Sequence, residues 1–152
     1  MATKTPPYWL MSWLWKAHRA VLSVSGGRMG LAEPAPDSRK IGMLQLHTVG
    51  RKTGKPRAVV LNYIEDGANV VTIASNGGAP QDPAWWLNLQ ARPDATATFV
   101  GGRRPVRARA ATGDERERLM AAFRTYAIYE DVDVHLAARG RDTALVVLEP
   151  RP

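Results

Sequence analysis

The fold is decided by Met43-Leu44-Gln45-Leu46-His47-Thr48-Val49 and the two runs that follow it. After the turn Gly50 to Pro56 comes Arg57-Ala58-Val59-Val60-Leu61-Asn62-Tyr63-Ile64-Glu65. Then Asp66-Gly67 leads into Asn69-Val70-Val71-Thr72-Ile73-Ala74-Ser75. The first run alternates with roughly period two, and the second is β-branched and apolar. Asp-Gly between two such runs is a strong hairpin signal. The three segments therefore predict an antiparallel meander. Downstream, Asn76-Gly77-Gly78-Ala79-Pro80 reads as a loop. A helix is expected from Pro83 to Ala91, with Asp82 as its cap and Pro83 at its first position, ending before Pro93. Thr96 to Val100 and Arg103 to Ala111 flank Gly101-Gly102 as a second hairpin. Thr112-Gly113-Asp114-Glu115 fits a capping box opening a helix to about Tyr126. A last strand covers Ala144 to Glu149. Six antiparallel strands with short flanking helices predict a mainly β (α+β) chain, a small, partly open barrel. The strand–helix–strand alternation of a doubly wound nucleotide fold is missing.

At 152 residues the chain suits a single domain. Residues 1–30 form an aromatic-rich segment, with a helix expected from Pro6 to Val24 and Gly26, Gly27 and Gly30 ending it; residues 31–152 form the barrel. The helix carries Tyr8, Trp9, Trp13 and Trp15, then Lys16, His18 and Arg19. It is too short to span a bilayer, which takes about 20 apolar residues. Its charge follows the apolar run, the reverse of a signal peptide. A cytoplasmic protein is expected, in which this helix either packs on the barrel or makes a peripheral membrane contact.

The formal charge is +7, and all of the excess lies early: residues 1–57 hold ten Lys or Arg against Glu33 and Asp37. Nucleic acid, an anionic membrane and a polyanionic small molecule are the partners such a balance raises. Four of the bases, Arg51, Lys52, Lys55 and Arg57, fall within seven residues. No recognition helix or base-stacking platform accompanies them, so nucleic acid is not expected. Cysteine is absent, which removes thiol nucleophiles, disulfides and Cys-ligated metal. His18, His47 and His135 stand on different elements without carboxylates at triad or metal spacing, and no metal site is expected. If the protein is an enzyme, the hard chemistry belongs to a bound organic cofactor.

Gly50-Arg51-Lys52-Thr53-Gly54-Lys55-Pro56-Arg57 is where such a cofactor could be gripped, although alone it is equally an ordinary basic turn. It is not a P-loop, because Val49 and Pro56 stand where the motif needs glycine and Ser or Thr. Ala74-Ser75-Asn76-Gly77-Gly78 gives a second close-approach loop, and Pro83-Ala84-Trp85-Trp86-Leu87-Asn88-Leu89 places two tryptophans about 100° apart on one helix. One ring can then be core while the other walls a pocket for a flat ring system with an anionic tail.

In this order and spacing, these three motifs and Pro93 resemble the deazaflavin-dependent nitroreductase family of actinobacteria, over about Gly26 to Pro150. The resemblance implies a split β-barrel of the FMN-binding, pyridoxamine-phosphate-oxidase-like kind. It also implies a reductase using reduced coenzyme F-420, an 8-hydroxy-5-deazaflavin with a phosphate and an oligoglutamate tail, with FMN as the alternative cofactor. By similarity, Arg51, Lys52, Thr53 and Lys55, with Arg57, Ala58, Val59, Val60, Leu61 and Asn62, line the phosphate and ring-edge side. Ile73, Ala74, Ser75 and Asn76, with Ala84, Trp85, Trp86, Leu87 and Asn88, complete the cradle, and Tyr129 lies over the ring. Ser75, Tyr129 and Tyr126 are the candidate catalytic donors to a developing oxyanion. Asn62 and Val132 stand where nitroimidazole-reducing relatives carry aromatics, which favours an enone or quinone acceptor over a nitro compound. Monomer and homodimer are both compatible with this reading.

Overall fold

The computed structural model describes residues 30–152, so the expected Trp-rich helix lies outside the described residues. Six antiparallel strands form the barrel: β1 (Gly42–Val49), β2 (Pro56–Asp66), β3 (Asn69–Ile73), β4 (Asp94–Phe99), β5 (Gly102–Ala110) and β6 (Leu145–Pro150). The helices are α1 (Ala84–Ala91), α2 (Gly113–Arg124) and the short α3 (Val132–Ala137), with single 3-10 turns at Pro36–Ser38, Asn76–Gly78 and Ala127–Tyr129. The meander and both hairpins stand where turn chemistry puts them, each end within two residues.

The strand order is β1-β2-β3-β6-β5-β4, and the barrel is closed. This corrects the partly open barrel expected from the sequence. Closure comes from Gln45↔Thr98, Leu46↔Ala97 and His47↔Thr96, a pairing between β1 and β4 that no local signal announces. One parting remains. β2 pairs with β1 along Gly42↔Tyr63 to Val49↔Pro56, but with β3 only through Ile64↔Val71, Glu65↔Val70 and Asp66↔Asn69. Residues 56–63 of β2 therefore present one backbone edge with no β3 partner.

Period-two alternation sorts the strand residues into two cores. Leu44, Leu46, Leu61, Tyr63, Ala97, Phe99, Val106, Val146 and Leu148 fill the interior, joined by Trp85, Trp86 and Leu89 of α1. That helix buries residues on more than one side, which suits its apolar composition. The opposite faces of β2, β3 and β6 give Ile64, Val71, Ile73, Leu145 and Val147. These pack under Leu119, Met120 and Phe123 of α2 with Tyr126 and Val132. Residues 125–139 run from this second core along the outside as a strap.

Both expected helix caps fail. Pro83, not Asp82, occupies the N-cap of α1 and makes no side-chain cap bond. The Asp82 carboxylate instead pairs with Arg139 and Arg141. Thr112 is the N-cap of α2 but makes no side-chain cap bond. Glu115, expected to close the box, accepts two bonds from Arg109 at 2.5 and 2.8 Å. In each case a charge-assisted pairing takes the carboxylate from the backbone donors.

Candidate active site

Where β2 and β3 part, a cavity of about 1040 Å³ opens between the strands, α1 and the strap. Its first wall is the turn between β1 and β2. The Gly50 N–H donates to Lys55 O at 2.8 Å, and the Gly54 N–H donates to Gly50 O at 2.8 Å. Gly54 has a left-handed backbone with φ of 69°. A Cβ on Gly50 would lie 2.9 Å from Thr53 Oγ1, so any larger residue there would have to displace that hydroxyl. The ring aims Arg51, Lys52, Thr53 and Arg57 at the cavity. Among the described residues, none of Arg51, Lys52, Lys55 and Arg57 pairs with a carboxylate. Eight arginines elsewhere do, so the turn holds cationic charge without an internal partner.

One buried amide fixes this turn. Asn88 on α1 accepts from the Arg51 backbone N–H at 3.1 Å and from Arg51 Nη1 at 3.4 Å, and donates to Thr48 Oγ1 at 3.2 Å. Asn88 and Thr48 are both buried. An amide has an acceptor and donors on opposite branches, and here the donor branch serves the end of β1 and the acceptor branch the turn that follows it.

The other walls are apolar with a few polar groups. Ala58, Val59, Leu61 and Asn62 come from the unpaired stretch of β2, and Ile73, Ser75 and Asn76 from the end of β3 and its loop. Ala84, Trp85 and Asn88 come from α1, and Tyr129 from the strap. Asn62 Nδ2 donates to Tyr129 Oη at 3.3 Å, and among the described residues nothing accepts the phenol hydrogen, which can serve a ligand. Burial pushes the Tyr129 phenol above its ordinary value of 10.0, against a smaller opposing pull from Asn62. It is therefore a neutral donor at physiological pH. The ring packs edge-on against Phe123 with centroids 5.3 Å apart.

Six sequence-predicted residues stand off this wall. Trp86 packs in the barrel interior while Trp85 faces the cavity, the division that adjacent helical positions impose. Val60 and Ala74 are buried away from it, and Leu87 and Lys55 also lie outside its lining. Tyr126 is buried in the second core rather than the cavity, so it is not placed to touch a ligand there. Conversely, Thr48, Thr72 and Ile128 line the cavity without having been named as site residues, and Gly50, Gly77 and Pro83, which lie within the quoted motifs, line it as well. Thr48 and Thr72 carried a signal, as buried polar residues inside apolar strand runs. Ile128 carried none.

The sequence profile described as F420H(2)-dependent quinone reductase matches residues 16–150. The Mycobacterium tuberculosis F420H(2)-dependent quinone reductase Rv1261c is 43% identical over 82 residues, which are 53% of this chain and 52% of that protein. The chain thus spans about half the length of that relative. Rv3178 of the same species, which carries the same family designation, is 36% identical over 122 residues, covering 80% of this chain and 96% of that protein. Among solved structures, the F420-H2 dependent reductase FDR-A superposes with a TM-score of 0.60 at 28% identity, over 70% of this chain and 93% of that one. The chain belongs to the F420H(2)-dependent quinone reductase family.

Proposed function

We propose that this protein binds reduced coenzyme F-420 in the cavity between β2, α1 and the strap and reduces a quinone there. The observation that carries the reading is the turn at residues 50–57: cations without carboxylate partners, held on a tight hydrogen-bonded ring and clamped by Asn88. That arrangement suits a phosphate and a carboxylate tail. The remaining chemistry of the group also fits the residues present. The unpaired edge of β2 offers backbone donors and acceptors to a polar ring edge. Trp85, Leu61 and Ile73 offer apolar faces to a flat ring. A volume of about 1040 Å³ lies at the top of the roughly 300–1,000 Å³ range of ligand pockets, which suits a large cofactor.

When bound, the reduced deazaflavin supplies a hydride, and with one proton this takes a quinone to its quinol. The chain's own residues hold the two partners together, keep water from the ring faces and stabilise the oxygen that gains charge. Tyr129 is placed for the last task, its phenol oriented by Asn62 and its proton free. Ser75 lines the same cavity from the loop after β3. Enones and nitro compounds are wider substrates of the same reading, since each also develops charge on an oxygen. Titrating the protein with F-420 while following the cofactor's fluorescence tests the reading, with FMN as competitor. Saturable binding that high salt weakens supports it; tight FMN binding with none to F-420 overturns it.

A further inference from the structure

Among the described residues, Arg139 is the only charged residue that is buried, and its side chain has no exposed surface. A buried guanidinium is costly unless its donors all find acceptors. Nε donates to Ala79 O at 2.8 Å. Nη2 donates to Gln81 O at 3.1 Å and to Asp82 Oδ1 at 3.2 Å. Nη1 donates to Thr143 Oγ1. Three of the four partners thus lie within residues 79–82, the segment between the Asn76–Gly78 turn and α1.

That segment carries one wall of the cavity, with Ser75, Asn76 and Gly77 before it and Pro83, Ala84 and Trp85 after it. It has little else to hold it. Asn76, Gly77 and Gly78 all have left-handed backbones, with φ of 49°, 63° and 89°. The bonds made inside the segment are local: Gly78 N–H to Ser75 O, Ala79 N–H to Asn76 O, and Asn76 Nδ2 to Gln81 O. Among the described residues, every hydrogen bond that reaches 76–82 from elsewhere comes from Arg139 or from the exposed Arg141.

Arg139 itself ends the strap that carries Ile128 and Tyr129, another part of the cavity lining. The strap's beginning is held separately: Arg39 Nε donates to Thr125 O at 2.8 Å, the Ala127 N–H donates to Arg39 O at 3.1 Å, and Arg39 also pairs with Glu130. One buried fork therefore ties the far end of one cavity wall to the other wall.

We propose that Arg139 is a positioning residue that sets the gap between the Ser75–Ala84 wall and the Ile128–Tyr129 wall. The gap fixes the separation of donor and acceptor held between them. The role requires a planar fork, because a lysine ammonium keeps the charge but cannot reach two carbonyls and a carboxylate from one fixed plane. The catalytic part of this inference rests on the function proposed above; the pinning of the loop does not.

The test uses Arg139→Met and Arg139→Lys in the full chain. Amide exchange at Gly78 and Ala79 should quicken at least about tenfold in both, while Leu46 and Val147 in the barrel keep wild-type protection. Single-turnover oxidation of bound reduced F-420 by a quinone, normalised per bound cofactor, should fall at least about tenfold in both. The dissociation constant for F-420 should rise by a smaller factor than the rate falls, because Arg139 bonds to residues 79–82 and to Thr143 and not to the 50–57 turn. A merely structural role lowers the folded fraction and leaves the rate per bound cofactor unmoved. If Arg139→Met does not fold, Asp82→Ala removes one partner and should give the same pattern with a smaller effect. Unchanged exchange at Gly78 and Ala79, an unchanged rate per bound cofactor, or full rescue by lysine would overturn the proposal. A wild-type protein that binds no F-420 defeats the functional reading instead, and the exchange result still decides the pinning.

Discussion

Replacing Asn88 by alanine should damage stability and anion binding together, because one amide serves both. In the folded protein it accepts from two donors of Arg51 and donates to the buried Thr48 hydroxyl. A net hydrogen bond contributes about 0.5–1.5 kcal/mol, and one to a charged group about 1.5–3 kcal/mol. Arg51 is exposed, so water recovers part of the loss on its side. The expected cost is about 2–3 kcal/mol, read as a lower urea midpoint at unchanged m, or as a Tm drop of about 5–10 °C. Releasing Arg51 should also raise the dissociation constant for F-420 about tenfold, equivalent to about 1.4 kcal/mol. The reasoning is that Asn88 acts through Arg51, so the effects of Asn88→Ala and Arg51→Ala on affinity should not add. A double-mutant cycle should give a coupling of about 1 kcal/mol. Additive losses would refute the clamp and leave Asn88 as an independent contact.

Four further substitutions test separate parts of the structure. Gly42→Ala would put a Cβ 2.6 Å from Tyr63 Cε1 and 2.8 Å from the Pro34 ring; denaturant unfolding should show a loss of about 1–3 kcal/mol. Tyr129→Phe should lower turnover roughly tenfold to a hundredfold, whereas Tyr126→Phe should change it less than about twofold, as steady-state kinetics would show. His47, hydrogen-bonded to Thr98 at 2.9 Å, is held below its ordinary value of 6.5, first by burial and then by the charge of Arg103. Its neutral form therefore belongs to the folded state. Stability from this group is complete above pH 6.5 and declines as pH falls through the lowered value. Unfolding measured from about pH 7.5 down to about pH 5 should decline less for His47→Gln than for wild type.

The parts of this molecule written locally were legible in its sequence. Asp66-Gly67 and Gly101-Gly102 declared the hairpins, although each two-residue loop sits one position from its signal, at Gly67-Ala68 and Val100-Gly101. The turn at Gly50 to Arg57 declared itself by charge density. Closure of the barrel through His47↔Thr96 was not legible, since it joins strands separated by the whole meander and α1. The strap was equally silent. Ala127–Tyr129 and Val132–Ala137 are too short to show a period, and they are held by Arg39 and by packing on α2. Asp82 and Glu115 misled because a cap signal counts only backbone donors, and arginines distant in sequence or on a neighbouring strand outcompeted them. Arg139, in a polar stretch, gave no sign that it would be buried. Its environment is assembled from residues almost sixty positions away.

Anaerobic mixing of the protein and stoichiometric reduced F-420 with a quinone tests the central claim most directly. The cofactor's absorbance and fluorescence report its oxidation. One equivalent of quinone should oxidise one equivalent of cofactor, at a rate that saturates with quinone and needs the protein. Arg51→Ala should weaken cofactor binding, and Tyr129→Phe should slow the bound complex. Oxidation no faster than in buffer, with the cofactor demonstrably bound, would contradict it.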